Sequence, residues 1–151
     1  MSKLKNLINR ITEFGTKPNV ESEYKTDEIQ KLLAEIYSEY LNLNAEFDDG
    51  DYDEEPNFEY ESIKKNVVSN FPNFGWYHSV WESHKIVPDA DLVTGDAIDD
   101  LTDIIKDLLE VKWCFENTTE KNAKWHFCDL MRIHSEQHLV NFLKYIKDLK
   151  G

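Results

Sequence analysis

Two cysteines, five glycines and four prolines are spread over 151 residues, and basic side chains number only 17 against 30 acidic ones. Cys114 and Cys128 form no C-x-x-C pair and have no further thiol beside them, which excludes a disulfide framework or a zinc knuckle. Both fall in segments of helical spacing and read as buried thiols. The shortage of glycine and proline excludes a low-complexity linker protein. The shortage of lysine and arginine leaves a net charge of −13, which argues against duplex DNA or an anionic membrane as a direct partner. No apolar run approaches the roughly 18 residues of a transmembrane helix. The first residues carry no continuous apolar stretch of the signal-peptide kind, so a cytoplasmic location is expected by default. Walker loops, dinucleotide fingerprints, nucleophile elbows and kinase motifs are all missing.

What is present is a chain with 40% hydrophobic and 13% aromatic residues, enough for one self-supporting core. A first helix is predicted over 3–14, with Leu4, Leu7, Ile8, Ile11 and Phe14 at helical spacing, stopped by Gly15 and Pro18. A second begins at Thr26 as N-cap, with Asp27 and Glu28 favourable at the positive end of its dipole. Its stripe is Ile29, Leu32, Leu33, Ile36, Tyr37, Tyr40 and Leu41. A short helix over 62–70 breaks at Phe71-Pro72. The aromatic-rich turn 71–77 is expected to pack under the helices, and 80–88 is read as loop in preference to strand. A fourth main element runs over 96–116, and a last helix over 120–149 with Thr119 as N-cap. The expected fold is all-α: one domain over 1–151, a helical bundle of four main helices plus one short helix, joined by a long irregular acidic and aromatic segment.

That segment, 45–61, holds nine acidic residues and no Lys or Arg. Without it, 21 acids face 17 bases and the charge falls from −13 to −4. Phe47, Tyr52, Phe58 and Tyr60 are interleaved with the carboxylates. Asp49, Asp51 and Asp53 imitate a calcium loop, but Glu54 replaces the required Gly and Tyr60 the closing Glu. A solvated, mobile loop or a docking surface for a basic protein is the better expectation. Aromatic residues supply contact area, and carboxylates steer a cationic partner. Asp49, Asp51, Tyr52, Asp53, Glu54 and Glu55 are the residues named for that contact.

The last helix carries a second signal. His134 and His138, four apart, project from one face together with Phe127, Leu130, Met131, Asn141, Phe142 and Tyr145. Two imidazoles so spaced can chelate one metal ion, with Asp99, Asp100 or Asp103 of the preceding helix supplying a further ligand. The set named for a divalent metal is His134, His138, Asp100 and Asp103. A buried structural network competes with it, because histidines on a core stripe commonly fix a bundle's register through carboxylates or carbonyls. Asp96, Asp100, Asp103 and Asp107 fall in one sector beside the apolar stripe and read as a solvated acidic face, with Asp96 placed to cap. The motif has Ser135 where a zinc protease has Glu. His78 and His84 flank Trp81 without metal spacing.

The runs Asn70-Phe71-Pro72-Asn73-Phe74-Gly75-Trp76-Tyr77, Gly95-Asp96-Ala97-Ile98-Asp99-Asp100-Leu101-Thr102-Asp103-Ile104 and Trp125-His126-Phe127, with His134 and His138, resemble the bacterial family called domain of unknown function 5063. The resemblance covers roughly the last 80 residues. Its last helix reads His134-Ser135-Glu136-Gln137-His138 where the family has His-Trp-Gly-x-His. It implies an all-α bacterial protein in which the two histidines and Asp99, Asp100 and Asp103 act as a unit, and it implies no activity.

Two functions are therefore expected in competition. One is a non-enzymatic interaction module, an immunity- or antitoxin-like binder of a basic partner with no cofactor. The other is a metal-binding bundle with hydrolase-like activity. The long apolar last helix also allows a homodimer.

Overall fold

A computed structural model describes residues 2–54 and 56–151. Helix α1 spans Lys3–Thr16, and the Ser2 hydroxyl accepts from the Lys5 N–H at 3.3 Å to cap it. The whole predicted stripe of α1 is buried. Gly15 does not stop the helix. It lies inside the last turn, where a Cβ would stand 2.5 Å from Ile105 Cγ2 and 2.9 Å from Ile63 Cγ2, so glycine there permits close helix packing. Helix α2 spans Lys25–Asn42. Thr26 falls within it, and Tyr24 occupies the N-cap position with no side-chain cap bond. Leu41, assigned to the core stripe, is 63% exposed.

Helix α3, Tyr60–Asn70, begins two residues before the predicted start and ends at Phe71-Pro72. Its last residue is a buried node: Asn70 Oδ1 accepts from the Val20 N–H at 2.8 Å, and its amide donates to the Phe14 and Lys17 carbonyls at 3.0 and 2.8 Å. One side chain thereby satisfies backbone groups that the end of α1 leaves open.

The all-α expectation needs one correction. Strands β1, Trp76–Val80, and β2, Leu92–Asp96, pair antiparallel with Tyr77 opposite Gly95 and Val80 opposite Leu92. Tyr77 and Ser79 face inward while Trp76, His78 and Val80 face out. A period of two over only five residues is a weak signal, and the aromatic run around it hides the alternation. The expected loop 80–88 lies mostly in the turn between these strands.

Helix α4, Ala97–Asn117, is capped by Asp96, which accepts from the Ile98 N–H at 2.9 Å. Helix α5, Glu120–Leu130, is capped by Thr119 as expected. It runs through a π turn, Met131–Ser135, directly into α6, Glu136–Lys150. The π turn follows from the buried residues. Phe127, Met131, Ser135 and Leu139 are spaced by four, and each such step advances a regular helix about 40° past a full turn. Three steps would carry the stripe off the core. A turn of wider i→i+5 bonding takes up the excess rotation.

Counting α5 through α6 as one rod, the described residues form five helices and one small sheet. Helix α4 is central and packs against α1, α3, α5 and α6. Among the described residues, no helix is long and apolar enough to cross a membrane. Cys114 is buried, Cys128 is half-buried with its thiol pushed up by burial, and neither forms a disulfide.

Candidate metal centre

Helix α4 and the last rod are joined by the short turn Thr118–Thr119 and run antiparallel, so residues early in α4 meet residues late in the rod. Asp100, Asp103 and Asp107 share one face of α4, at spacings of three and four. Opposite them stand His138 and His134. His134 Nδ1 lies 2.7 Å from Asp107 Oδ2, and the Ser135 hydroxyl donates to that same oxygen at 2.6 Å. His138 Nδ1 lies 2.7 Å from Asp100 Oδ1, and its Nε2 lies 3.4 Å from Asp103 Oδ2. The two imidazoles meet edge to face with centroids 4.8 Å apart.

Two tyrosines close the inner side. Tyr77 donates to Asp100 Oδ2 at 2.5 Å, and Tyr60 donates to Asp99 Oδ1. Tyr77 reaches across its own hairpin partner to do so. A Cβ at Gly95 would stand 2.2 Å from the Tyr77 ring, so only glycine lets the ring pass. Asp100, Asp107 and Ser135 are buried, Asp103 and His138 are half-buried, and His134 is exposed. The cluster is walled on one side and open to solvent along His134 and Asp103.

The electrostatics follow from this layout. The bond to Asp100 raises His138 above the ordinary histidine value against the opposing effect of burial, with Asp103 and Asp99 adding to the rise. Burial pushes Asp103 up, and the neighbouring Asp99 pushes it further, while the imidazoles pull it down. Burial and their carboxylate bonds hold Tyr60 and Tyr77 well above the usual tyrosine range, so both remain protonated donors.

Ser135, His134 and Asp107 do not form a hydrolytic triad. Both Ser135 and His134 bond to the carboxylate, and Ser135 is buried, whereas a nucleophile must bond to its base and face substrate. The donor set suits a cation instead. Asp103, His134 and His138 each offer a ligand atom within 4.8 Å of the other two. A second grouping, Asp99, Asp100 and His138, meets the same limit. There, however, one oxygen of each carboxylate is held by a tyrosine, and the other Asp100 oxygen faces His138 Nδ1.

Of the four residues named for a metal, His134, His138 and Asp103 come together at the open side, and Asp100 stands behind His138. Asp107, expected on a solvated face, is instead buried and doubly bonded. Ser135, Tyr60 and Tyr77 join the cluster without having been named for it. The signal for Tyr77 lay in the pair Tyr77 and Gly95, which gains meaning only once the hairpin register is known.

The acidic segment lies elsewhere. Asp49, Asp51, Asp53 and Glu54 are exposed, Tyr52 is half-buried, and Glu55 lies outside the described residues. Tyr52 donates to Asp48 Oδ2 at 2.8 Å. Asp48 also accepts from the Gly50 N–H at 2.8 Å and from Thr119, the cap of α5. These bonds, Thr119's first, hold the Asp48 carboxyl below its ordinary value. Phe47 packs edge to face on Trp125 at 5.3 Å. This stretch is strapped across the start of α5. Among the described residues, the groups able to converge on an ion lie in the α4–α6 cluster and not in this segment.

No protein-family model and no characterised protein matches the sequence. The fold is similar to the crystal structure of protein BF1032 from Bacteroides fragilis, with a TM-score of 0.72 and 18% identity over 99% of this chain and 90% of that one. At that identity the likeness concerns the fold alone.

Proposed function

We propose that this protein binds a divalent transition-metal ion through His134, His138 and Asp103. One observation carries the reading: both histidines have Nδ1 within 2.7 Å of a buried carboxylate. In metal sites an outer carboxylate of this kind fixes the tautomer, orients the ring and raises the basicity of Nε2. Asp107 would serve His134 in that role and Asp100 would serve His138. Charge supports the same reading. Four carboxylates (Asp99, Asp100, Asp103 and Asp107) face two imidazoles, and Asp103 is raised first by burial and then by Asp99 and Asp107, a crowding of negative charge that a dication relieves. Two imidazoles and one carboxylate favour zinc, iron or their neighbours over magnesium or calcium. Three protein ligands leave a position for water, whose pKa a bound ion would lower, the requirement of hydrolase-like chemistry.

The test is metal content by mass spectrometry on protein purified without chelator, followed by zinc titration beside His134→Ala/His138→Ala. About one equivalent, lost in the double variant, is expected. Metal below about a tenth of an equivalent, with a zinc affinity that the double substitution leaves unchanged, overturns the reading and makes the cluster a structural network. Membership of the domain of unknown function 5063 family is proposed on the motifs quoted above and adds no activity.

A second reading is favoured by the Phe47–Trp125 pair, in which Phe47 is 62% exposed beside the open carboxylates of Asp49, Asp51, Asp53 and Glu54. It is docking of a basic protein in the immunity or antitoxin manner. Its association rate would fall steeply with salt. A salt-independent rate with a cognate basic partner sinks it.

A further inference from the structure

The hairpin has an open edge, and that edge borders a groove. Its ladder is bonded from the Ala97 N–H to the Gly75 carbonyl at 3.0 Å and from the Trp81 N–H to the Asp91 carbonyl at 2.9 Å. Bonded and non-bonded pairs alternate in an antiparallel ladder. Tyr77 with Gly95 and Ser79 with Val93 are therefore the bonded pairs, and Trp76, His78 and Val80 turn their N–H and C=O groups away from β2. Before this stretch, the Tyr145 hydroxyl accepts the Gly75 N–H at 2.9 Å, so α6 flanks the strand without covering it.

Between them lies a groove of about 270 Å³, walled by Tyr77, His78 and Ser79 on one side and by Asn141, Tyr145 and Leu149 on the other. Native proteins guard such edges with lysine, proline or a bulge. The β1 sequence Trp-Tyr-His-Ser-Val has no lysine or proline, and its register with β2 runs without a bulge. Trp76 is 71% and Val80 41% exposed on the outer face.

We infer that the groove between β1 and α6 is a peptide-binding site that takes an extended segment of another protein as a third strand. The chemistry specifies the occupant. Outward donors and acceptors at every second residue are matched only by an extended backbone. Trp76 and Val80 ask for apolar side chains at alternate positions. The charged residues lining the groove are one lysine and one aspartate, which favours an uncharged segment. Lys144 and Asp148, which also line the groove, are paired with each other at 2.7 Å and leave its wall neutral. This site makes no use of the metal ligands, so it stands whether or not an ion binds.

The experiment uses a capped peptide of about seven residues alternating valine and threonine with one lysine, a length suited to a single strand. Affinity is measured by calorimetry, and the contacted amides are read by hydrogen exchange. Protection is expected at His78 and Val80, and a peptide N-methylated at alternate residues should bind at least about tenfold more weakly. His78→Pro removes an outward donor without touching the hairpin's own bonds and should weaken binding by the same factor. Thr94→Pro places the same lesion on the opposite edge and should leave affinity unchanged. Absence of binding overturns the inference, as does an affinity indifferent to both N-methylation and His78→Pro. A concentration-dependent dimer that His78→Pro dissolves also overturns it, because the strand would then pair with a second copy of this chain.

Discussion

Asp107 is the residue on which most of the cluster leans, since its Oδ2 atom serves both His134 and Ser135. Asp107→Ala strands two partners, one of them fully buried, and should cost about 2–4 kcal/mol. Ser135→Ala, which leaves the histidine bond in place, should cost about 1 kcal/mol. Urea denaturation compares the two. The sequence marks Asp107 as one carboxylate in a row at helical spacing. Nothing in that row says which member the facing helix will cover, so burial at this position was not legible. His134 and His138 were legible because their spacing and their apolar face are properties of a single helix. Glu110 supplies a pH test away from the cluster. The His126 imidazole, its Nε2 3.9 Å from Glu110 Oε2, is the first cause holding that carboxyl below the ordinary value, against burial, with Lys106 assisting. A depressed folded-state value contributes stability above the unfolded value of 4.5, lost as pH falls through the folded one. Glu110→Gln should therefore be less stable than the parent near pH 7, and the gap should close as pH drops below the carboxylate range. A gap that stays constant with pH contradicts this.

At the scale of elements, the π turn decides where the last helix points. Ile133 lies within it and is 62% exposed, so its side chain contributes little. Deleting it leaves Phe127, Met131, Ser135 and Leu139 spaced by four, three and four, which a regular helix keeps within about 30° of one line. The π turn should then relax to α-helix with α6 still seated on α4, and cooperative thermal unfolding should survive. Inserting one alanine in the turn instead adds about 100° of rotation and should abolish it. Helix existence was legible from periodicity, down to the Thr119 and Asp96 caps. The π turn was not, because a four-residue rhythm among apolar residues also fits a regular helix with a broad buried face. The hairpin escaped notice for a related reason: five-residue strands offer two or three alternations, and their outward positions are as apolar as their inward ones. The start of α2 was misplaced because Thr26 has the right chemistry for a cap, while Tyr24 takes the position with no side-chain bond.

For the whole molecule, a bound ion is a ligand for the folded state alone. At a free zinc concentration about a hundredfold above its dissociation constant, the stabilisation should be about 2.7 kcal/mol. In a protein of this size that is about 5–10 °C in Tm. Differential scanning calorimetry with and without zinc reads the shift, and His134→Ala/His138→Ala should abolish it. Magnesium at the same concentration should move Tm by much less. The acidity of the chain was legible from composition alone, but its disposition was not. The sequence could not show that Asp48 would fasten the acidic segment to the cap of α5.

The tight connection at Thr118–Thr119 has a kinetic consequence. Because α4 turns directly into the last rod, Asp107 and His134 lie 27 residues apart along the chain, and Asp100 and His138 lie 38 apart. Both loops close within one helical hairpin, while α1 reaches α4 only by bringing together residues about 90 apart, such as Gly15 and Ile105. Short loops close at lower entropic cost than long ones. On refolding, the histidines and their carboxylates should meet before α1 and α2 dock. The C-terminal third of the chain would then act as the template on which the N-terminal helices assemble.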